Sequence, residues 1–385
     1  MIVNVEFFVG NPIENVITSL NYKVDKTIFL GYKDVIEQQR KYTEDFLKRV
    51  CDVSSVEFYS VDKTDLTGMI DIIETRTKEE TTKGNQVFFD LTGGESLLLV
   101  AFGLLSQELA APMHVFDVVK NEIHEYGFDD IPTLTQVAEC RPLSLNLDQF
   151  ISLYGGTINY RMQKDYKHTW DGDDIKDVEN MWGLYQEYND KWVHYCALLR
   201  KFEPDSQLYV TIDTKQLKDE LMRSHKLSDI SKFQQFLNDC KALGLLHSVQ
   251  FEKRFCRYAY KSETIRQYFW DSGSILEMYT FLLESRKEEV DDCRIGVHID
   301  WDGVLHNNAG EDVLNEIDIM SISNNLPTFI SCKIGNADQM SLYELETVAS
   351  RFGGKYAKKV LAVAKEMSSG HVRRATEMQI EVRKI

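Results

Sequence analysis

Short apolar segments alternate with amphipathic segments through the first 130 residues, and this alternation constrains the fold more than any other feature of the sequence. Each apolar segment has the length and composition of a buried strand, and each amphipathic segment has helical periodicity. Strands that alternate with helices pair in parallel and are covered by helices on both faces. The pattern predicts strands at Ile2–Gly10, Thr27–Tyr32, Val56–Val61, Gln86–Leu91 and Met113–Val118, helices at Ile13–Leu20, Asp34–Val50, Leu66–Thr81 and Ser96–Leu109, and a closing strand at Glu122–Phe128.

Three units follow from the periodicity, so the predicted fold class is an α/β multidomain chain. Residues 1–145 form a predicted Rossmann-like domain. Residues 146–270 read as helices followed by two strand-like runs, the order of a winged helix, with Ser228 as a plausible N-cap of the last helix. Residues 271–385 read as a separate α/β core. Its predicted elements are a helix at Ser274–Arg286, strands at Gly296–Trp301, Glu316–Ser323 and Thr328–Lys333, a helix at Ser341–Phe352 and a strand at Lys359–Ala364.

Charge and composition exclude several classes of protein. The chain carries 44 basic and 61 acidic residues, a net charge of −17, which excludes a general nucleic-acid coat protein. Seven scattered cysteines without a C-x-x-C pair give no disulfide framework or zinc knuckle. No apolar run is long enough to span a bilayer. We therefore expect a reduced cytoplasmic protein without a membrane partner, in which polyanion contacts concentrate in the basic stretch from Arg351 to Arg374.

The segment from Asp90 to Ser96 joins a predicted buried strand to an apolar helix. Its two glycines allow a close backbone approach, and the helix N-terminus presents unpaired N–H groups that suit a phosphate. The loop Gly10-Asn11-Pro12 should lie at the same edge of the sheet, where ligands of such folds bind. Neither a dinucleotide fingerprint nor a P-loop is present. A tight turn that needs two glycines is the alternative interpretation.

In this position, the sequence Asp90-Leu91-Thr92-Gly93-Gly94-Glu95 resembles the ligand loop of CRISPR-associated Rossmann fold (CARF) domains. The resemblance implies a homodimer that binds a cyclic oligoadenylate across its two-fold axis, and it favours cyclic tetra-adenylate. It also implies which residues form the ligand site: Asn11, Thr92, Gly93 and Gly94 lining the pocket, with Glu14 and Glu95 near it.

Acidic and basic side chains of the last third suggest a second site. Glu316 and Asp318 should share one strand face, opposite the apolar residues. The strand Thr328–Lys333 ends in a lysine, and the upstream helix carries Glu277. Carboxylates on one strand beside a lysine on its neighbour can hold a divalent cation, activate water and neutralise a phosphodiester transition state.

This arrangement resembles the PD-(D/E)XK nuclease superfamily. The resemblance implies Glu277 as the helix acid, Asp318 as a metal ligand for Mn²⁺ or Mg²⁺, and Lys333 as the catalytic lysine. Ser331 departs from the pattern because the family usually has a carboxylate there, and a hydroxyl is a weaker ligand for a hard cation. Three options stay open: Glu316 or Glu277 completes the metal sphere with the Cys332 carbonyl and water, activity is reduced, or the substitution is inactivating.

Two further motifs have a functional and a structural interpretation. Arg351-Phe352-Gly353-Gly354-Lys355 resembles an element of CARF–nuclease fusions, which implies that Arg351 and Lys355 hold the scissile strand and that Tyr356 could stack on a base. The alternative is a glycine helix cap with a solvated basic face. His298, Asp300 and Asp302 share a predicted strand face, but their spacing matches no metal motif, and a turn-capping role is favoured.

Together the two halves resemble the cyclic-oligoadenylate-activated nucleases of type III CRISPR defence. The implied function is a metal-dependent endonuclease that cleaves single-stranded DNA or RNA, or nicks supercoiled DNA, once the activator is bound. The alternative is a ligand-responsive DNA-binding transcriptional regulator with an inactive nuclease lobe. Ser331 favours that alternative, whereas the neutral charge of residues 146–270 disfavours it.

Overall fold

A computed structural model describes residues 1–162, 170–202, 208–224, 230–306 and 314–385. These residues form three β-sheets, of six, three and six strands, with helices packed against them. A mixed α/β chain with several sheets is therefore confirmed. None of the helices in these ranges combines the length and apolar character needed to cross a membrane.

The first sheet has the strand order β3-β2-β1-β4-β5-β6, so the direction of winding reverses between β1 and β4. Its first five strands pair in parallel, and β6 forms an antiparallel hairpin with β5. The strands are β1 (Ile2–Phe8), β2 (Lys26–Gly31), β3 (Ser55–Ser60), β4 (Gln86–Asp90), β5 (Met113–Asp117) and β6 (Glu122–Tyr126), and the helices are α1 (Ile17–Asn21), α2 (Lys33–Arg49), α3 (Leu66–Thr82) and α4 (Ser96–Leu109).

One predicted helix of this unit is wrong. Instead of a continuous helix at Ile13–Leu20, a 3₁₀ turn at Pro12–Asn15 precedes the short helix α1. The Asn15 side chain accepts from the Val9 amide and donates to the Val9 carbonyl, each at 2.9 Å. These two bonds fold the segment back onto the end of β1, and α1 starts only after Val16, whose backbone is not helical.

The middle of the chain contains the three-stranded antiparallel sheet, in the order β8-β10-β9. The helix α9 is described from Ile230 onward, so the predicted N-cap Ser228 lies outside the described residues. The elements are α5 (Leu134–Val137), α6 (Leu147–Leu153), β7 (Thr157–Ile158), a 3₁₀ turn (Tyr160–Met162), α7 (Gly172–Lys201), β8 (Tyr209–Asp213), α8 (Thr214–Ser224), α9 (Ile230–Ala242), β9 (Leu246–Phe251), β10 (Phe255–Tyr260) and α10 (Glu263–Trp270).

The third sheet has the order β15-β14-β13-β12-β11-β7. It is antiparallel from β7 to β13 and parallel from β13 to β15. The edge strand β7 comes from Thr157–Ile158, which the sequence did not predict. The remaining elements are α11 (Ser274–Ser285), β11 (Asp292–Asp300), β12 (Leu314–Ser323), β13 (Leu326–Lys333), α12 (Gln339–Gly353), a 3₁₀ turn (Gly354–Tyr356), β14 (Lys358–Val363), α13 (Ser369–Glu377) and β15 (Ile380–Lys384).

Apolar contacts join the first and third sheets. One buried cluster combines Phe8 and Phe29 of the first sheet with Phe150 of α6 and with Ile299 and Phe329 of the third sheet. A second cluster packs α11 and the middle helices on the opposite face of the third sheet. The third sheet is therefore covered on both faces, and its α12 face shares a core with the N-terminal unit.

Candidate functional sites

The two predicted ligand loops meet at the edge of the first sheet. Because β1 and β4 are parallel neighbours, their carboxyl ends lie side by side at the point where the strand order reverses. Gly93 has a φ of +72°, and a Cβ atom there would lie 3.0 Å from a Val9 methyl carbon and 3.4 Å from the Glu14 Cβ. The conformation and the close approach both favour glycine at this position.

Within the second loop, the side chains of Thr92 and Glu95 are engaged inside the domain. The Thr92 hydroxyl accepts from the Phe116 amide at 2.8 Å, and the residue is buried. The Glu95 carboxylate accepts from the Tyr32 hydroxyl, and burial together with this carboxylate raises the pKa of Tyr32 to about 12. A ligand at this edge would thus contact chiefly the backbone of residues 93–94 and the loop at Asn11.

A buried polar cluster lies beneath this loop, and the sequence analysis did not identify it. The Asp90 carboxylate accepts from the Thr92 amide at 2.8 Å and from the Thr18 hydroxyl at 2.6 Å, and His114 Nε2 is 3.1 Å from it. Burial acts to raise the pKa of Asp90, but His114 and these hydrogen bonds outweigh burial and hold the pKa at about 2. The pKa of neighbouring Glu6 is raised by burial and by Asp90. Asp90 thus fixes the start of the ligand loop.

In the third sheet, Asp318 and Ser331 come together at the end of a strand pairing. The ladder between β12 and β13 ends at the pair Ile319 and Ile330. Beyond it, the Asp318 carboxylate accepts from the Cys332 amide at 2.6 Å and from the Ser331 hydroxyl at 3.2 Å. A side chain therefore continues the contact between the strands where the backbone ladder stops.

The expected face alternation around Asp318 is wrong. Ile317 belongs to the apolar cluster beneath α12, whereas Ile319 belongs to the cluster beneath α11, although regular alternation would place both on one face. On the neighbouring strand, Ile295 pairs with Ile319 and Val297 with Ile317, and Gly296 between them has a φ of +63°, a conformation that favours glycine. Side-chain alternation is thus interrupted on both strands at this point, where the Asp318 carboxylate reaches the Cys332 amide.

The electrostatics around Asp318 suit a cation. Burial raises the pKa of Asp318, the Cys332 amide and Lys333 act to lower it, and the Glu316 carboxylate acts to raise it. A divalent ion would relieve both the burial of this charge and its repulsion by Glu316. Mg²⁺ typically keeps several waters and uses one or two carboxylates, so these two residues fit such an ion. Within the described ranges, however, no group of three or more His, Cys, Asp or Glu side chains is arranged to hold a metal.

The other predicted residues of this site are Glu277, Lys333 and Cys332. Glu277 is half-buried on α11, whose apolar side packs on the face that contains Ile319 and Ile330. Lys333 is half-buried at the end of β13, and the Cys332 side chain packs in the core beneath α11. The sequence analysis missed the cross-strand contact of His298 Nε2 with a Glu316 oxygen, 3.6 Å away.

The predicted turn-capping role of Asp300 agrees with its contacts. One of its carboxylate oxygens accepts from the amides of Asp302 and Gly303, at 3.2 and 3.1 Å. These bonds form a turn at the end of β11.

The predicted nucleic-acid residues do not lie beside Lys333. In the parallel pair β13 and β14, Thr328 is opposite Lys358 and Lys333 is opposite Val363, five residues further on. At about 3.3 Å per residue, the segment that precedes Lys358 is roughly 17 Å from the Lys333 end. The structure instead brings Lys355 to the ligand loop, where its Nζ is 2.9 Å from a Glu14 carboxylate oxygen.

Comparisons with known proteins bear on both halves. Residues 263–384 match the family model of the Card1-like endonuclease domain. The fold is similar to that of protein VC1899 from Vibrio cholerae, with a TM-score of 0.72 and 14% identity, over 100% of this chain and 94% of that one. It is also similar to Can2 from Sulfobacillus thermosulfidooxidans in complex with cyclic tetra-adenylate, with a TM-score of 0.66 and 14% identity, over 99% and 95%. No curated protein sequence gives a match.

Residues 263–384 are therefore similar to the Card1-like endonuclease domain, and the fold of the whole chain resembles the folds of VC1899 and Can2.

Proposed function

We propose that this protein is a metal-dependent endonuclease that a cyclic oligoadenylate switches on. The observation that carries the proposal is the position of Asp318 within the segment that matches the Card1-like domain. It is half-buried at the end of a strand ladder, with Ser331, Glu316 and Lys333 around it. The PD-(D/E)XK assignment, Mn²⁺ or Mg²⁺ as the metal, and a role in type III CRISPR defence belong to the same proposal. Single-stranded DNA or RNA, or supercoiled DNA, would be the substrate.

In this mechanism, Asp318 and Glu316 would hold the divalent cation, which supplies Lewis-acid activation of water when bound. Lys333 would place its ammonium against the phosphodiester and neutralise the charge that develops on its oxygens. Ser331 would donate to Asp318 and orient that carboxylate, so the residue at the usual acidic position acts through Asp318. Glu277 and the Cys332 carbonyl would remain candidates for completing the metal sphere.

The activator would bind at the edge of the first sheet. Its phosphates would face the backbone amides at the start of α4, since helix N-termini suit anions without requiring lysines. Can2 was solved with cyclic tetra-adenylate, which supports that ring size as the first to test. Asn11, Glu14, Thr92, Gly93, Gly94 and Glu95 would form or support the site, with Asn11 positioned to contact a base or ribose.

A homodimer that associates through α4 would bring two such sites together. Val100 and Leu104 lie one turn apart on α4 with 50% and 58% of their surface exposed, although both are large and apolar. Gly103 between them would allow a second helix to approach closely. Because α4 begins at the ligand loop, contact between two α4 helices would place both loops at one two-fold axis.

Replacing Leu104 by glutamate should therefore dissociate the dimer. A charged carboxylate in an apolar interface has no partner, and its burial is strongly unfavourable. Sedimentation velocity would measure the change, with Val119→Glu as the control because Val119 is 67% exposed outside α4. An equal loss of dimer in both variants, or in neither, would contradict association through α4.

A second candidate, a ligand-responsive DNA-binding regulator, is favoured by the middle of the chain. The order α7-β8-α8-α9-β9-β10, with β10 between β8 and β9, would suit a winged-helix-like unit. Residues 208–262 carry ten Lys and Arg against six Asp and Glu, in a chain that is acidic overall. Binding to duplex DNA without a metal, in the absence of cleavage, would favour this candidate.

Strand cleavage tests the main proposal directly. We expect labelled single-stranded DNA or RNA to be cut when Mn²⁺ and cyclic tetra-adenylate are both present. Omission of the activator should reduce the rate strongly, and EDTA should abolish cleavage because the water would lose its activating ion. Cleavage that persists in EDTA would exclude the metal mechanism, and cleavage independent of the activator would exclude the switch.

A further inference from the structure

A carboxylate from the 3₁₀ turn after β1 is held by two residues from the opposite end of the chain. Glu14 is buried, and one of its oxygens is 2.9 Å from Lys355 Nζ and accepts from the Tyr356 hydroxyl at 2.9 Å. The Lys355 side chain is 60% exposed, so its ammonium can turn to another anion without unfolding its surroundings. The ion pair therefore connects the ligand loop directly to the segment that follows α12.

Gly354 makes this approach possible. It has a φ of +57°, and a Cβ atom there would lie 2.9 Å from the Asn11 side-chain oxygen. That same oxygen accepts from the Tyr154 hydroxyl at 3.0 Å. The positive φ and the close approach to Asn11 both favour glycine at position 354. The segment therefore needs a glycine where it packs against the ligand loop.

A cavity of about 750 Å³ opens at this contact, between the first sheet, residues 153–154 and the last third. Polar side chains line it, among them Asn11, Gln39 and Ser350, and such a lining suits a polar ligand. Tyr42 and Trp301 add aromatic surface to the same cavity.

The two cations of the cavity differ in their availability. Arg351 donates to the carbonyls of Tyr154 and Trp301, at 2.7 and 3.3 Å, so its guanidinium is committed to the backbone. Lys355 forms its ion pair with Glu14 through an exposed side chain and can exchange one anion for another. A ligand phosphate that entered this cavity would thus meet Lys355 as the cation able to turn toward it.

We propose that this cavity extends the nucleotide site onto the last third, and that Lys355 exchanges the Glu14 carboxylate for a phosphate of the ligand. The inference rests on the proposed activation by a cyclic oligoadenylate. The Glu14 carboxylate competes with the ligand for Lys355 and repels its phosphates, so ligand binding weakens a contact between the two halves. A ligand that favours one of two arrangements in this way shifts the equilibrium between them.

Equilibrium binding of cyclic tetra-adenylate to the full chain tests the exchange, with Glu14→Gln, Lys355→Met and the control Lys358→Met compared with the wild type. Lys358 is three residues away, equally exposed and ion-paired to Glu381. Loss of a charge-assisted contact should weaken binding about tenfold in Lys355→Met. Glu14→Gln should tighten binding severalfold because the competitor loses its charge, and Lys358→Met should stay within about twofold of the wild type.

The opposite signs separate this exchange from a purely structural ion pair. Both Glu14→Gln and Lys355→Met break the same ion pair, so a structural role would shift the affinity in the same direction in both variants. A shift in the same direction would overturn the proposed exchange at Lys355. The same holds if Glu14→Gln and Lys355→Met both bind with the affinity of Lys358→Met. Neither result would affect the proposed activation by cyclic oligoadenylate. Absence of binding by the wild type would instead overturn the proposed activation, and this inference with it.

Discussion

Asp318→Asn should reduce metal-dependent strand cleavage by about a thousandfold or more. Asparagine keeps the size of the side chain and an oxygen that can accept from the Cys332 amide, but it loses the negative charge that holds the cation. Metal ions contribute several kcal/mol to such transition states, and each 1.36 kcal/mol changes the rate tenfold. Initial rates of cleavage in saturating Mn²⁺ and cyclic tetra-adenylate would measure the loss.

This loss should not come from unfolding. Burial raises the pKa of Asp318 above its ordinary value, so the folded state disfavours the ionised form that prevails at neutral pH. Removing this charge should therefore leave the melting temperature of the metal-free protein unchanged or slightly raised. Mn²⁺ should stabilise the wild type by mass action and fail to stabilise Asp318→Asn.

Asp291→Asn serves as the matched control. Asp291 is exposed and accepts from the Asn324 amide at 3.0 Å, near the other end of β12, so the same chemical change occurs away from the site. Its cleavage rate and its stabilisation by Mn²⁺ should match those of the wild type. Cleavage by Asp318→Asn at the control rate, or equal stabilisation by Mn²⁺, would remove Asp318 from the proposed metal site.

Asp90→Ala should lower the free energy of unfolding by about 3–5 kcal/mol, the range for a buried charge network that loses one partner. Alanine would leave the Thr92 amide, the Thr18 hydroxyl and the Asn4 amide group without their shared acceptor, and His114 without its carboxylate. Because Asp90 fixes the start of the ligand loop, binding of cyclic tetra-adenylate should be lost as well.

The comparison is Asp117→Ala, at the end of the neighbouring strand β5. Asp117 also accepts from backbone amides, those of Val119 and Lys120, but in an exposed turn, so about 1 kcal/mol or less should be lost. Urea denaturation at pH 7 would measure both variants, and hydrogen exchange would locate the change in the first sheet. Equal losses of unfolding free energy in the two variants would show that the buried cluster stabilises the fold no more than an exposed turn does.

The stabilising effect of Asp90 should also depend on pH. Its pKa is about 2 in the folded protein, below the ordinary value of about 3.9, so the ionised group stabilises the fold above pH 4. This stabilisation is lost as the pH falls from about 4 to 2. The difference in stability between the wild type and Asp90→Ala should shrink over the same interval.

Local periodicity predicted most of the first sheet and the major strands of the third, because buried strands and amphipathic helices each have a repeat that is visible within a few residues. The contacts that decide the sites are long-range. Nothing in the sequence near Lys355 shows that it faces Glu14, and the edge strand at Thr157–Ile158 is too short to give a pattern. The helix predicted at Ile13–Leu20 failed because the Asn15 side chain bonds to the Val9 backbone, a local contact that competes with helix formation.

The same limits apply to the candidate active site. The residue types and their spacing singled out Asp318 and Lys333 as candidates, and Ser331 was added through the resemblance to the PD-(D/E)XK superfamily. The break in alternation beside Gly296 was not visible, because strand alternation assumes a regular pleat. The interpretation of Ser331 as a weak metal ligand also assumed that its hydroxyl faces the ion, whereas in the structure it donates to Asp318.

The apolar cluster shared by the first and third sheets has a consequence for the order of events during biosynthesis. Phe8, Phe29 and Phe150 leave the ribosome well before Ile299 and Phe329, the residues that they pack with. At roughly 5–20 residues per second, this interval lasts on the order of ten seconds. During that time the nascent chain exposes the apolar surface that its own last third covers in the folded protein. Interrupted translation should therefore yield an aggregation-prone fragment that depends on chaperones.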